Sequence, residues 1–239
     1  MKFHFLTIFP EMINAYTGEA MLKRAKDKKL ADFVAVNIRD YSKDKHGKTD
    51  DRPYGGGPGM VMTAEPILRA FSKLKATSSA KASARQGKFK VVMLSPSGKM
   101  FTNTVAKKFA KSYTDVVFIC GRYEGVDDRV RKILKADEYS IGDYVLTGGE
   151  LPALVMTDAI VRQIKGVLGD EASLEEARVA SPRVYTRPET LIWPPASAKA
   201  TTRQRKYKVP NVLKEGNHKK IEEWRLSTQA SSKQKKQTK

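Results

Sequence analysis

The sequence predicts an α/β protein built on a largely parallel sheet. Short apolar runs typical of buried strands occupy residues 3–9, 33–38, 90–94 and 116–120. Segments with a helical spacing of apolar side chains lie between and after them. Strands that alternate with helices indicate a parallel sheet, and the continuous apolar runs agree because a parallel sheet is covered on both faces.

This spacing predicts four helices, at residues 64–74, 101–109, 126–134 and 150–164. In the longest helix we expect the apolar side chains to face inward, namely those of Leu151, Leu154, Val155 and Ala159. The small, polar and basic residues of 75–88 predict a flexible surface excursion between two elements.

The net charge points to a polyanionic partner. The 239 residues include 45 Lys and Arg against 26 Asp and Glu, a net charge of +19. An excess of this size is typical of proteins that bind nucleic acid. An anionic membrane surface is the alternative, but it would require a basic amphipathic helix or a lipid anchor, and neither is evident. The sequence also lacks the roughly 20 apolar residues in a row that a membrane span needs.

The composition changes after residue 168 and predicts two domains. Residues 1–168 form the first, and a charged linker that is poor in core residues follows at 169–185. Residues 186–239 form a small basic domain. From Arg183 to the end the chain has 15 Lys and Arg against 4 Asp and Glu, a net charge of +11. We expect the last dozen residues to be disordered.

Cysteine and histidine usage excludes several kinds of site. Cys120 is the single cysteine, so no internal disulfide can form and a reducing cytoplasm is the expected location. The three histidines, His4, His46 and His218, show no metal-ligand spacing with it. We therefore predict neither a metal site nor a cysteine nucleophile.

Three loops that follow predicted strands combine glycine with polar or aromatic residues. They are residues 94–98, 120–129 and 140–152. Ligands of open α/β sheets bind beyond the carboxyl ends of the strands, so these loops would converge on one site and hold a flat heterocycle through main-chain groups. A fourth loop, 53–60, has four glycines in five positions, which permits a close approach of backbone to a ligand. Ordinary surface turns are the alternative for each of them.

Taken in order, these segments resemble the bacterial tRNA (guanine-N1)-methyltransferases. The resemblance covers nearly the whole chain except 75–88 and the tail. The matching segments are residues 37–46, 54–60, 121–125, 140–153, 166–169, 185–188 and 216–225.

The resemblance implies a SPOUT-type, trefoil-knotted methyltransferase domain with a small C-terminal helical domain. It implies methylation of N1 of the guanosine immediately 3′ of the tRNA anticodon, with S-adenosylmethionine as the methyl donor, and it leaves a requirement for Mg²⁺ open. An obligate homodimer is implied as well, in which the partner's linker and C-terminal domain complete each active site.

The resemblance also assigns residues to the site. Those implied to bind the cofactor are Leu94, Ser95, Pro96, Gly121, Glu124, Gly125, Ile141, Gly142, Tyr144, Leu146, Gly148 and Gly149. Those implied to bind the tRNA are Gly59, Arg187 and His218. Glu124 is placed in the catalytic set too.

The reaction itself requires a base and a cation. Guanine N1 carries a proton that a general base should remove, and the charge that moves onto O6 needs a positive group. By resemblance Arg162 is the cation, whereas a surface pair with Asp158 is the alternative role for it.

The expected base is missing from its usual position. The family carries an aspartate in the linker after Glu-Ala-Ser, and here Ala177 occupies that position after Glu171-Ala172-Ser173. Glu176 is our preferred substitute. Glu175 and water are the alternatives, and a slow enzyme is a further one.

Two other functions compete with this one. A catalytically impaired, tRNA-binding relative of the same family would explain Ala177. A knotted methyltransferase that acts on ribosomal RNA is the other, but the C-terminal motifs favour the tRNA enzyme. A Rossmann-type methyltransferase is disfavoured because no glycine-rich fingerprint follows the first strand.

Overall fold

A computed structural model describes residues 1–80, 88–168, 183–193 and 205–237. The chain divides into two compact units, Met1–Gly169 and Asp170–Lys239. The strands of the first unit are β1 (Lys2–Thr7), β2 (Asp32–Asn37), β3 (Asp50–Asp51), β4 (Val61–Met62), β5 (Phe89–Met100), β6 (Asp115–Ile119) and β7 (Asp137–Ser140). Its helices are α1 (Pro10–Thr17), α2 (Ala20–Asp27), α3 (Ala64–Ala80), α4 (Asn103–Ser112), α5 (Asp128–Leu134) and α6 (Glu150–Val161).

A five-stranded parallel sheet forms the centre of the first unit, with the strand order β2-β1-β6-β5-β7. Side chains of β1 alternate between its two faces, so Phe3 and Phe5 enter one apolar core and Leu6 enters the other. Helix α6 packs in the first core through Met156 and Ile160. Both faces of the sheet are therefore covered, which confirms the α/β arrangement predicted from the continuous apolar strands.

The four predicted strands and four predicted helices all form, with bounds that differ by a few residues. Helices α1 and α2 and strand β7 were not predicted. Each is short, and β7 has the polar sequence DEYS, which has no apolar run to reveal it. The prediction of a flexible excursion was wrong for residues 75–80, which continue α3. These residues contain no glycine or proline, and alanine favours the helix. Residues 81–87 lie outside the described part of the chain.

Helix α6 departs from its predicted burial. Leu154 is buried as expected, but Leu151 and Val155 were predicted inward and are 53% and 44% exposed. Because α6 is apolar on nearly all sides, periodicity could not say which side faces the sheet. The exposed residues continue onto α1, where Met12 and Tyr16 are also exposed. An apolar face is thus left exposed among the described residues of the first unit.

The second unit contains an antiparallel hairpin and a long helix in its described part. Its elements are β8 (Thr190–Trp193), β9 (Arg205–Lys208) and α7 (His218–Gln237). Tyr185 packs near Trp224 of α7, with ring centroids 6.2 Å apart, and Lys214 pairs with Glu189 at 2.6 Å. The hairpin was not predicted.

Helix α7 continues to Gln237, and the disorder expected for the last dozen residues stays a prediction. Between its first and last residues there is no glycine or proline, and lysine, glutamine and alanine are good helix formers. None of the helices in the described ranges is long and apolar enough to cross a membrane.

Candidate functional site

A cavity of about 420 Å³ opens beyond the carboxyl ends of β6 and β7 and beside residues 93–96 in the middle of β5. Its size and position are those of ligand sites in α/β proteins. The structure brings together here all the residues that were assigned to the cofactor, namely Leu94, Ser95, Pro96, Gly121, Glu124, Gly125, Ile141, Gly142, Tyr144, Leu146, Gly148 and Gly149. Tyr123, Val145, Thr147 and Pro152 also line the cavity; they belong to the loops predicted at 120–129 and 140–152 but were not assigned to the cofactor individually.

Strand β5 shapes one wall by leaving the sheet for four residues. Leu94 pairs with Tyr139 of β7, and after the excursion Lys99 pairs with the same residue. The residues between them are therefore displaced from the ladder, and Ser95 and Pro96 among them line the cavity. This irregularity explains how a continuous strand can contribute side chains and backbone to a ligand site.

The opposite wall depends on close backbone contact at Gly149. Its N–H donates a hydrogen bond of 2.8 Å to the carbonyl oxygen of Gly121. A Cβ at this position would lie 2.8 Å from the Cα of Cys120, which is too close for two carbons. The loop after β6 and the start of α6 can meet only because residue 149 has no side chain.

A buried ion pair holds the same two segments together. Glu150 is fully buried at the start of α6, and its Oε2 lies 2.9 Å from Nε of Arg122. The other carboxylate oxygen accepts a 2.7 Å hydrogen bond from the hydroxyl of Thr7, at the end of β1. The Arg122 guanidinium also lies 4.6 Å from the centre of the Phe9 ring and donates to the carbonyl oxygen of Thr147. The buried charge of Glu150 is thus paired with a cation, and both of its carboxylate oxygens accept hydrogen bonds, as a buried ion pair requires.

Cys120 lies next to this pair and is fully buried. Burial raises the pKa of its thiol well above the ordinary value, and the nearby negative charge of Glu150 raises it further. A neutral, inaccessible thiol is a poor nucleophile, in agreement with the sequence analysis.

The glycine-rich loop reaches the cavity through Glu124. The Glu124 N–H donates to the carbonyl oxygen of Met60 at 3.0 Å. A Cβ at Gly59 would lie 2.5 Å from Oε1 of Glu124, and φ at Gly59 is +83°, a conformation that suits glycine. The structure therefore places Gly59 directly against Glu124 at the cavity wall.

Arg162 does not line this cavity. It follows the last residue of α6, and the 12 residues of the helix separate it from Glu150 by roughly 18 Å at 1.5 Å per residue. Within the described ranges Arg162 forms no ion pair with Asp158. Instead Asp158 accepts a 2.7 Å hydrogen bond from the Tyr16 hydroxyl, which raises the pKa of Tyr16. The alternative surface pair is therefore not found.

The remaining predicted site residues lie elsewhere. Arg187 and His218 belong to the second unit, His218 at the first position of α7. Glu175, Glu176 and Ala177 lie outside the described residues. Among the residues that the structure describes, no group of three or more His, Cys, Asp or Glu side chains could hold a metal ion.

A parallel sheet with a glycine-walled cavity at this edge is the arrangement of α/β enzymes that bind a cofactor there. A sequence model of the family described as tRNA (Guanine-1)-methyltransferase TrmD matches residues 1–239. The chain belongs to this family, so the SPOUT-type α/β fold class and the enzyme assignment are confirmed. The trefoil knot itself stays a prediction.

The sequences of individual relatives match this chain along most of their length. A tRNA (guanine-N(1)-)-methyltransferase of Clostridioides difficile is 43% identical over 229 residues, covering 94% of this chain and 90% of the relative. The proteins of the same name from Caldicellulosiruptor saccharolyticus and Staphylococcus carnosus are 45% and 43% identical, each covering 94% of this chain and 84% of the relative.

The buried pair leads to a prediction about stability. Replacing Glu150 by Gln leaves the Arg122 charge without its partner and should lower the free energy of unfolding by about 3 kcal/mol, the lower end for a broken buried pair, since Gln can still bond to Thr7. Urea denaturation followed by circular dichroism measures this. The exposed Glu19→Gln serves as the control and should change stability by less than about 0.5 kcal/mol. Equal stability of the two variants would show that the pair contributes nothing.

Proposed function

We propose that this chain transfers a methyl group from S-adenosylmethionine to N1 of the guanosine immediately 3′ of the tRNA anticodon. The observation that carries the proposal is the family match over residues 1–239, whose loop motifs surround one cavity. The relatives bear the name of this enzyme, and the chemistry of the cavity walls is compatible with it.

The cavity suits the methyl donor in size and in the nature of its walls. About 420 Å³ lies within the range of cofactor sites. Gly121, Gly142, Gly148 and Gly149 line the cavity, and walls without side chains favour recognition of an adenine by main-chain donors and acceptors. The donor supplies a methyl group already activated on a sulfonium. The protein's task is therefore to bind it, to place the guanine beside it and to manage one proton.

The second unit supplies the RNA contacts in this proposal. The +11 charge of residues 183–239 would neutralise phosphates and release their counterions. Arg187 and His218 are the residues that we assign to tRNA there, with Gly59 beside the cavity. Residues 169–185 would act as the linker between the domains. A cytoplasmic location belongs to the proposal, because the substrate is tRNA and the single cysteine suits a reducing compartment.

The exposed apolar face supports a homodimer. Phe9, Met12 and Tyr16 near α1 continue into Leu151 and Val155 of α6, and all five side chains are more than a third exposed. A second copy of the chain would bury this face through a two-fold interface. Arg162 lies at the far end of α6 from its own cavity, so it would act in the partner's site. The linker of the same chain would act there with it.

Removal of the proton from guanine N1 is the step at which this chain departs from the family. Ala177 cannot accept a proton, and we propose Glu176 as the base, with Glu175 next to it. Arg162 would stabilise the negative charge that develops on O6. Glu124, at the wall of the cavity, would help to orient the reactants. The described residues offer no set of ligands for Mg²⁺, so no step is assigned to a metal.

A catalytically impaired relative that binds tRNA remains the second candidate. The observation that favours it is Ala177 at the position of the family's aspartate. It shares the cavity and the basic second unit with the enzyme, so only a measurement of transfer separates the two.

Methyl transfer to tRNA tests the proposed function. The protein is incubated with labelled S-adenosylmethionine and an unmodified tRNA transcript with guanosine 3′ of the anticodon. We expect label in 1-methylguanosine after digestion to nucleosides. A transcript with adenosine at that position is the matched control and should remain unlabelled. Binding of tRNA without any transfer would support the impaired relative instead.

A substitution in the cavity wall tests the binding of the methyl donor. A side chain at Gly142 would collide with the ring of Tyr144 and fill part of the cavity. Gly142→Val should therefore abolish binding of S-adenosylmethionine in a calorimetric titration. The exposed Thr104→Val, in α4, adds the same residue away from the cavity and should bind as the parent does. Unchanged affinity in Gly142→Val would refute the assignment of this cavity.

Single-turnover rates test the proposed base. Removing a positioned base should slow transfer by roughly 10²–10⁴-fold, with little change in the affinity for donor or tRNA. We expect this effect in Glu176→Ala, whereas Glu175→Ala is the matched neighbour and should remain near the parent rate. A double variant, Glu175→Ala with Glu176→Ala, that transfers as fast as the parent would exclude both carboxylates and leave water or a residue distant in sequence as the acceptor.

A further inference from the structure

The β8–β9 hairpin of the second unit has two chemically different sides. Its register pairs Leu191 with Tyr207 and Trp193 with Arg205, and it pairs Ile192 with Lys206. Directly opposite residues of an antiparallel pair point to the same side, and successive residues alternate. One side therefore carries Leu191, Tyr207, Trp193 and Arg205, and the other carries Thr190, Lys208, Ile192 and Lys206.

The aromatic side of the hairpin is uncovered. Trp193 is 60% exposed and Tyr207 is 52% exposed, although both are large residues that normally gain stability from burial. Neither ring contacts another aromatic ring or a cation within the described ranges. Two rings at diagonal positions of a ribbon lie about 7 Å apart at their Cβ atoms, so a planar group can reach both. The two rings thus each present a flat, accessible surface.

The charged side chains of the hairpin strands are all positive, and Arg205 shares the side of the rings, whereas Lys206 and Lys208 lie on the other side. Arg205, Lys206 and Lys208 are exposed and form no ion pair within the described part of the chain. Glu189 precedes Thr190 in sequence, and its hydrogen bond with Lys214 lowers its pKa, with a smaller effect from the charge of Lys208. Exposed aromatic rings among unpaired cations are the composition of surfaces that bind single-stranded nucleic acid, with stacking to bases and ion pairs to phosphates.

We infer that this hairpin is a second RNA-contact element, in which Trp193 and Tyr207 stack on unpaired bases of the tRNA and Arg205, on the same side, binds its phosphates. The inference rests on the proposed function and adds a recognition mode to it. Phosphate contacts alone do not distinguish a loop from a duplex, whereas stacking requires bases that are free to leave their pairs. The hairpin would therefore direct the enzyme to a looped region of the tRNA.

A second copy of the chain is the other occupant to consider for this surface. A two-fold contact between two such hairpins would bring Arg205, Lys206 and Lys208 of each copy close together, and like charges at short distance oppose association. The apolar face on α1 and α6 offers a surface for a second copy without this repulsion. Charge complementarity therefore favours the polyanion at the hairpin.

Binding measurements with the full-length protein test the inference. The ligands are an unmodified tRNA transcript and a fully paired RNA duplex of matched length, titrated by fluorescence anisotropy at several salt concentrations. The ring variants are Trp193→Ala and Tyr207→Ala, and the charge variant is Arg205→Gln. Trp193→Phe keeps a ring, and Leu226→Ala removes an exposed apolar side chain of α7 outside the hairpin. Sedimentation reports the oligomeric state of each variant.

We expect each ring variant to bind the transcript about 5- to 150-fold more weakly, as expected when one base no longer stacks, and to bind the duplex as the parent does. Trp193→Phe and Leu226→Ala should retain the parent affinity. The charge variant should bind both RNAs more weakly, with a salt slope reduced by about 0.7–0.9 for each phosphate that the protein no longer neutralises.

Three results would overturn the inference. Ring variants that bind the transcript normally, while the parent methylates it, would refute stacking and leave the proposed function intact. A decrease in affinity that accompanies dissociation of the oligomer would identify the hairpin as an interface between two copies. A parent protein that neither binds nor methylates tRNA would refute the proposed function and this inference together.

Discussion

The buried pair between Arg122 and Glu150 is the interaction on which the geometry of the site depends. Glu150 begins α6, Arg122 lies in the loop after β6, and Thr7, which bonds to the same carboxylate, ends β1. One carboxylate thus joins three segments that are distant in sequence, at the edge of the sheet where the cavity opens. A carboxylate buried without partners would be very costly, so each of these segments must take its place for the others to be stable.

The sequence predicted the sheet and the cavity well because both depend on local patterns. Continuous apolar runs identified β1 and β6, and glycines after strands identified the loops that meet at the cavity. The buried pair could not be predicted, since Arg122 and Glu150 look like ordinary surface residues until the fold brings them together. The direction of Leu151 and Val155 could not be predicted either, because a helix that is apolar on nearly all sides gives no periodic signal.

The second unit illustrates a different limit of sequence reasoning. Its basic composition was evident and indicated a polyanionic partner, yet composition does not distinguish a flexible basic tail from an ordered surface. The register of the β8–β9 hairpin comes from backbone hydrogen bonds between residues with no conspicuous motif. Trp193 and Tyr207 lie on the same side of the hairpin only because of that register. The sequences of two four-residue strands do not reveal how the strands are paired.

Helix α6 has Glu150 at one end and Arg162 just past the other, and this arrangement limits how the chain can change in length. Each residue of an α-helix adds 1.5 Å and about 100° of rotation. A single insertion within α6 would therefore turn Arg162 away from its present direction while Glu150 stayed fixed by its pair. It would also carry part of the apolar face around the helix axis. Substitutions can be tolerated at several positions along α6, but insertions and deletions would break the angular relation between its two ends.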